Sequence, residues 1–325
     1  MISIKKYSNK DKKLWDNFIL SSNNGTLFHC QSFLSYHIDR HFVDYSLIIK
    51  KNNQIIALLP AAIKICNSKK ILYSHPGASF GGFVFSLNMN FKLLNNIIIE
   101  VEKFCIKNNI QSIIMINTPL IYYKQKDESL NYLLLWNKYI KKEHYISHFI
   151  DLSGTSNVKL LLKKRKQRYL NKLLLNKKFN IRPSNNFKDF YRLLIKSKKE
   201  FKTQPTHSIQ ELQLLSRLFP EKIKLLLTRH NSAVVGGCLL FFTNIKTCLV
   251  FYNVIDKQFR TSQLSAFQLF RCMRLAKINK FDYLDLGVSH IPISKNPLEP
   301  KFSLIQFKEQ FGAQGIMRKV YKKDF

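Results

Sequence analysis

Apolar residues along the chain follow two alternating spacings. Short runs rich in Ile, Leu, Val and Phe, bounded by Asn, Gly or Pro, read as buried strands. Longer stretches with apolar residues three and four apart read as amphipathic helices. The first half is predicted as strand 2–6, helix 11–21, a loop with a short helix over 25–41 and a hairpin over 46–65. A strand, a Gly-rich loop and another strand follow in "KKILYSHPGASFGGFVFS", then helix 91–108, strand 112–117, helix 129–142 and strand 145–153. The second half is predicted as helix 159–178, helices 186–202 and 208–218, a hairpin over 223–243 and strand 247–255. Helix 262–279, strand 282–286, a long loop and strand 315–323 complete it.

The pattern repeats. "SLIIKKNNQIIALLPAAI" (46–63), slid by 178 positions, lies on "KLLLTRHNSAVVGGCLLF" (224–241). Each is an apolar strand, a polar turn and an apolar strand, interrupted at Pro60-Ala61 or at Gly237-Cys238. "VEKFCIKNNIQSIIMIN" (101–117) matches "FRCMRLAKINKFDYLDL" (270–286) at a similar offset, each a helix end, a turn and a strand. Two matches in the same order indicate a duplicated hairpin–helix–strand unit. "SGTSN" near 153–157 is the best linker signal, and it divides the chain into 1–153 and 154–325.

Composition narrows the class. A chain of 325 residues, 46% hydrophobic, suits two domains with substantial cores. The six cysteines show no CxxC spacing and lie mostly in apolar runs, so they are expected to be reduced core thiols, with no metal bound. The N-terminus lacks the apolar stretch of a signal peptide, and no segment is long enough to span a bilayer, so a cytoplasmic protein is expected. Lys and Arg total 53 against 20 Asp and Glu, a net charge of +33. An AT-rich genome explains the excess of Lys over Arg but not the scarcity of acids. The balance therefore points to anionic partners: nucleotides, tRNA, sugar nucleotides or an anionic membrane face. Helix 159–178 carries nine basic residues, and no acid occurs between Asp151 and Asp189. Leu162, Lys166, Tyr169 and Leu173 share one of its faces. It is either a solvated basic helix with an apolar seam or an anion-steering element.

Several residues could carry chemistry. Between strand 247–255 and helix 262–279, Thr261 or Ser262 is a candidate N-cap. The first-turn amides of Ser262, Gln263 and Leu264, beside Arg260, would suit a pyrophosphate; an ordinary capped helix is the alternative. In "SHPGASFGG", Gly77 and Gly81 permit close backbone approach, and His75, Ser79 and Phe80 could hold an acceptor; a tight inter-strand loop is the alternative. In "PTHS", Thr206 or Ser208 caps the next helix and leaves His207 as a candidate base or a structural histidine. Asp285 ends a strand, Gly287 follows, and His290 lies just beyond. Lys308 sits in an apolar frame, either snorkelling or pointing into a site. Tyr252 is a candidate proton donor or a core aromatic. No Ser/His/Asp or Cys/His arrangement and no metal-ligand spacing is present.

The order strand–turn–strand, strand, basic loop, helix, strand resembles the core of GNAT acyltransferases, although the loop lacks that family's glycines. "TQPTHSIQEL" (203–212), "FDYLDLGVSH" (281–290), "NPLEPKFSLIQFKEQFGAQGIMRKVY" (296–321) and "SHPGASFGG" (74–82) resemble GNAT-type acyltransferases of bacterial surface-polysaccharide gene sets, the BioF2-like type. The Asp-Leu-Gly strand end and Phe-Lys-x-x-Phe-Gly also resemble the Fem peptidyltransferases. These resemblances imply an α/β (α+β) fold of tandem GNAT-like domains, each a mixed, mostly antiparallel sheet flanked by helices.

The same resemblances imply an acceptor-side domain at 1–153 and a donor-side domain at 154–325, with the acceptor in the cleft between them. They imply acyl transfer from acetyl-CoA or another acyl-CoA to an amine, such as that of an amino-sugar nucleotide or a lipid-linked glycan, without a covalent nucleophile or a metal. Two alternatives stay open: Fem-like transfer from aminoacyl-tRNA to a peptidoglycan precursor, and non-catalytic binding of RNA or an anionic membrane. In the Fem resemblance Lys308 faces the reaction centre and meets a developing oxyanion; by position, Asp285 could orient the acceptor amine or accept a hydrogen bond from neighbouring backbone, and Tyr252 could protonate the leaving thiolate or serve as a core aromatic. His75, Gly77, Ser79, Phe80, Gly81, Thr206 and His290 are the expected acceptor contacts.

Overall fold

The computed structural model describes residues 1–175, 178–200, 203–291, 294–296 and 298–325. The chain divides into two units, one of 1–146, 292–298 and 317–325 and one of 147–291 and 299–316. The first division falls within a strand at Ile146/Ser147, short of the "SGTSN" segment, and the C-terminal residues return to the first unit.

The first unit begins with β1 (Ile2–Lys6), α1 (Lys12–Ser21), α2 (Gln31–Leu34), β2 (Val43–Asp44), β3 (Leu47–Lys51) and β4 (Gln54–Leu59). It continues through β5 (Ala61–Cys66), β6 (Lys69–Ser74), β7 (Val84–Phe85), α3 (Phe91–Lys107), β8 (Ser112–Ile116) and α4 (Ser129–Trp136). β9 (Ile140–Asp151) leads into the second unit. One sheet has the order β1-β3-β4-β7; β2, β5, β6 and β8 pair in another. Pro60 has no N–H to donate, so the ladder ends there and β5 leaves the sheet of β4. The helix expected over 129–142 stops at Trp136, because Lys138 turns left-handed (φ 64°), and β9 starts at Ile140. The core gathers Leu47, Leu59, Leu72, Ile97, Val101, Ile113 and Leu134.

The second unit contains α5 (Lys164–Leu175), β10 (Phe179–Pro183), α6 (Phe187–Glu200), α7 (Ile209–Leu218), β11 (Ile223–His230), β12 (Ala233–Phe242) and β13 (Thr247–Ile255). α8 (Leu264–Ile278), β14 (Tyr283–Val288), α9 (Phe302–Glu309) and β15 (Gln314–Asp324) follow, with the last residues of β15 in the first unit. Strands β10 to β14 run in sequence order, and β14 then pairs with the end of β9. α9 lies where the sequence reads as loop; its apolar residues favour no single face. β12 is unbroken at Gly237-Cys238, unlike its counterpart at Pro60. The paired glycines admit a side chain from each face of the sheet. A Cβ on Gly236 would lie 2.1 Å from Gln268 Oε1 of α8, and one on Gly237 would lie 2.9 Å from Phe190 of α6. Gln268 then anchors α8 through a buried network: Thr228 Oγ1 donates to its Oε1 (2.7 Å), and its Nε2 donates to Asn253 Oδ1 (2.6 Å).

Candidate functional site

In the second unit β13 and β14 pair in parallel at Thr247/Tyr283, Cys248/Leu284 and Leu249/Asp285. Beyond that point β13 stays with β12 and runs on to Ile255, while β14, already paired with β9 at Tyr283–Asp285, rejoins that ladder at Val288/Ser147. The two strands therefore part into a fork. A register shift between Leu239 and Leu240, opposite Tyr252 and Val250, makes Phe251 the extra residue of a bulge at the start of the open stretch. Gly287 sits on the β14 side of the fork with φ +72°, and a Cβ there would meet nothing within 4 Å. The first turn of α8 touches the β13 side, where Asn253 Nδ2 donates to Ser265 Oγ (3.3 Å).

Asp285 and Lys308 are both buried, and both act on Gly287. The Asp285 carboxylate accepts from the Gly287 N–H (2.7 Å), and Lys308 Nζ donates to the Gly287 carbonyl (2.8 Å). Lys308 also donates to the Val288 carbonyl (3.0 Å) and to Ser289 Oγ (2.8 Å). Ser289 Oγ also lies within hydrogen-bond distance of His148 Nδ1 (2.9 Å). Burial first, then the Lys308 charge, lowers the His148 pKa against an opposing effect of Glu309. His148 and Ser289 escape the sequence reading because nothing in their spacing joins β9 to the end of β14. His290 and Pro300 bridge across the loop between β14 and α9. Pro292 and Pro297 of that loop lie outside the described residues.

Tyr252 and His207 meet on the opposite face of the sheet from α8. Tyr252 Oη accepts from the Thr206 N–H (3.1 Å) and lies 3.2 Å from His207 Nδ1. Burial raises the Tyr252 pKa, against the hydrogen bonds that favour the phenolate. His207 is buried among Phe241, Phe251 and Tyr252, while Ser208 caps α7 by accepting from the Glu211 N–H (3.2 Å).

At α8 the cap differs from both expected residues. Gln263, left-handed at φ 56°, is the N-cap. Ser262 Oγ turns back to the Phe259 carbonyl (2.7 Å), and Thr261 is exposed. Leu264 is fully buried, so only its backbone faces the turn. Arg260 is paired with Glu200. The cation at the helix start is instead Lys166 of α5, buried and donating to Gln263 Oε1.

The "SHPGASFGG" residues stay within the first unit. β6 and β8 pair in parallel at Ile71/Ser112, Leu72/Ile113 and Tyr73/Ile114. Ser74 Oγ then accepts from the Ile116 N–H (2.9 Å), the Gly81 N–H donates to the Ile116 carbonyl (2.8 Å), and Gly81 bridges Asn117. Phe80 is fully buried against Phe28 and Tyr122. His75 is buried and accepts from the Gly77 N–H (3.2 Å), and Ser79 is half-buried. Among the described residues no group of three or more His, Cys, Asp or Glu could hold a metal, and no helix is long and apolar enough to cross a membrane. All six cysteines are free, Cys66 alone being exposed.

Neither a protein-family profile nor a curated protein sequence matches the chain. Its fold is similar to solved structures. FemX shares 12% identity at a TM-score of 0.74, covering 99% of this chain and 97% of that one. The C-terminal domain of a putative lysylphosphatidylglycerol synthetase from Agrobacterium fabrum shares 8% at 0.59, covering 97% and 92%. A tandem GNAT protein from the clavulanic acid biosynthesis pathway shares 8% at 0.54, covering 100% and 98%. The chain has a tandem GNAT-like fold, with large, mostly antiparallel sheets flanked by helices.

Proposed function

We propose that the chain is an acyltransferase that binds an acyl thioester in the β13/β14 fork and transfers the acyl group to an amine. The observation that carries this reading is the open fork itself. Two adjacent parallel strands part after Leu249/Asp285, and the first turn of α8 meets the parted stretch at Asn253. The edge of β13 beyond Leu249, which pairs with no strand on that side, suits the amide-bearing arm of CoA, and the helix N-terminus suits its diphosphate.

In the reaction the amine nitrogen bonds to the thioester carbonyl carbon, the C–S bond breaks, and the proton lost by the amine ends on the departing sulfur, which leaves as the free thiol. Alignment of the two reactants and stabilisation of the oxyanion supply most of the rate. Asp285 and Lys308 fix Gly287 by its N–H and its carbonyl, which holds the β14 side of the fork in one geometry. Lys308 also brings a buried positive charge to that side, where oxyanion charge would develop. An amino sugar of a cell-surface glycan precursor is the acceptor favoured by the resemblance of the 203–212 and 281–321 segments.

The exposed cations Lys163, just before α5, and Lys164, Arg165, Arg168 and Lys172 along it support a second reading. They suit a nucleic-acid backbone and hence an aminoacyl-tRNA donor. Native mass spectrometry of the full chain, with acetyl-CoA and separately with aminoacyl-tRNA, tests both. A one-to-one acetyl-CoA adduct is expected; a tRNA adduct without one would replace the first reading by the second.

A further inference from the structure

α4 is apolar on both of its sides. Leu130, Leu133 and Leu134 enter the core of the first unit, and Tyr132, Leu135 and Trp136 stand on the opposite face. A helix packed on a core ordinarily turns polar residues outward. Here the outward residues are aromatic and aliphatic, and they are open to water. The chain has two tryptophans. Trp15 is fully buried, whereas Trp136 is 68% exposed.

The apolar face continues onto its neighbours. The Phe91 ring, at the start of α3, lies 6.0 Å from the Tyr132 ring. One turn further along α3, Asn95 Oδ1 accepts from Asn137 Nδ2 (2.8 Å), which ties the end of α4 to α3. Ile140, exposed at the start of β9, follows the left-handed turn at Lys138. Lys92, Lys138 and Lys141 adjoin these residues in the chain and are exposed. No acid occurs over 90–99 or 129–142. The acids that border those stretches are paired: Glu100 with Lys103 (2.8 Å), Glu128 with Lys319 (2.8 Å) and Glu143 with Lys142 (3.7 Å).

The occupant must suit both the apolar residues and the cations. A nucleic acid would meet the lysines but leave Leu135 and Ile140 in water. A second copy would bring together two chains of net charge +33. An anionic bilayer takes both features at once. Trp and Tyr rings settle at the headgroup level, Leu, Ile and Phe enter the acyl boundary, and lysines meet lipid phosphates.

We propose that the first unit docks on an anionic lipid bilayer through Phe91, Tyr132, Leu135, Trp136 and Ile140, with Lys92, Lys138 and Lys141 as the charge contacts. The proposal goes beyond the acyltransfer reading and does not rest on it, because it involves neither the fork nor a thioester.

Trp136 is its own reporter. The full chain is floated with vesicles of phosphatidylcholine alone and of phosphatidylcholine and phosphatidylglycerol in equal parts. Tryptophan emission is recorded with each, and again with brominated acyl chains. Binding to the anionic vesicles alone is expected, with a blue shift and bromine quenching that Trp136→Ala abolishes. The emission of Trp15, buried away from the face, reports that this variant is folded. Affinity for the anionic vesicles is expected to fall about tenfold in Trp136→Ala. It is expected to fall about 20-fold or more when Lys92→Gln and Lys141→Gln are combined. Arg165→Gln with Arg168→Gln, which removes the same charge from α5, is expected to cost less than about threefold.

A wild type that does not float with the anionic vesicles overturns the proposal. So does flotation with unchanged tryptophan emission and equal losses from the two charge pairs, which would mean diffuse attraction. An RNA hairpin that shifts the Trp136 emission when vesicles do not would assign the face to nucleic acid instead. A dimer in analytical ultracentrifugation that Trp136→Ala disperses, without vesicle binding, would assign it to a second copy.

Discussion

The two units carry the same short parallel ladder and treat its open end in opposite ways. In each, two parallel strands pair at three successive positions. In the first unit the chain after β6 folds into the opening. Gly81 takes the Ile116 carbonyl, Ser74 takes its N–H, and the Gly81 carbonyl is held by His29 Nε2 (3.3 Å). In the second unit β13 continues along β12 past its bulge at Phe251, and the place a Cβ on Gly287 would take is open. One fork is filled by its own loop and the other is not. The glycines of "SHPGASFGG" let the loop enter: a Cβ on Gly81 would lie 3.2 Å from Ser74 Oγ, and Gly82 needs φ +76°. The motif that suggests ligand contact in sequence closes the ladder of its own unit.

The largest expected effect is at the open fork. Lys308→Met keeps the stem but leaves the Gly287 and Val288 carbonyls and Ser289 Oγ without their donor. Turnover is expected to fall about 100-fold or more, with donor affinity changed less than about threefold. Steady-state kinetics and calorimetry on the variant check this, and unchanged turnover would return Lys308 to a purely structural role.

Next comes the closed fork and its response to acid. His29 is fully buried, accepts from the Thr26 N–H through Nδ1 (3.0 Å), and has its pKa lowered to about 4 by burial. Because the unfolded histidine titrates near 6.5, its contribution is complete above that pH and is lost as pH falls towards 4. The loss is about 3 kcal/mol. Urea unfolding of the first unit between pH 7 and pH 4 should show this slope, and His29→Gln should reduce it, the remainder coming from His75, whose pKa burial also lowers to about 4. An equal slope in the variant would assign the acid sensitivity to other groups.

Smaller effects separate the glycines. Gly236→Ala forces a Cβ into Gln268 and disturbs the Thr228–Gln268–Asn253 network, so it should destabilise the second unit by about 2–3 kcal/mol. Gly82→Ala should cost the first unit about 1–2 kcal/mol through its left-handed backbone. Chemical unfolding with a reporter in each unit measures both. A Gly236→Ala variant as stable as wild type would mean that α8 is not anchored through Gln268.

Much of this architecture is legible in the residues. The duplicated hairpin, helix and strand appear as apolar runs in one order, and Asn231 and Pro60 mark where ladders turn or end. α9 is not legible, because "FSLIQFKE" is apolar on several sides and matches neither spacing. The start of β9 is hidden for a similar reason: "NKYIKK" continues a helical pattern until Lys138 reverses the backbone. At the site, Asp285 and Lys308 stand out as charges in apolar frames, but their meeting at Gly287 depends on tertiary placement. Lys166 is visible on the seam of a basic helix, yet nothing in sequence announces that it ends at Gln263. The ion pair that engages Arg260 is equally invisible, since Glu200 ends α6, 60 residues earlier in the chain.

Amide hydrogen exchange of the full chain with and without saturating acetyl-CoA tests the difference between the forks most directly. Protection is expected along 250–255, at the start of α8 and around 286–289, with 71–82 and 112–118 unchanged. Protection confined to 71–82 and 112–118, or no protection anywhere, would contradict the assignment of the donor to the open fork.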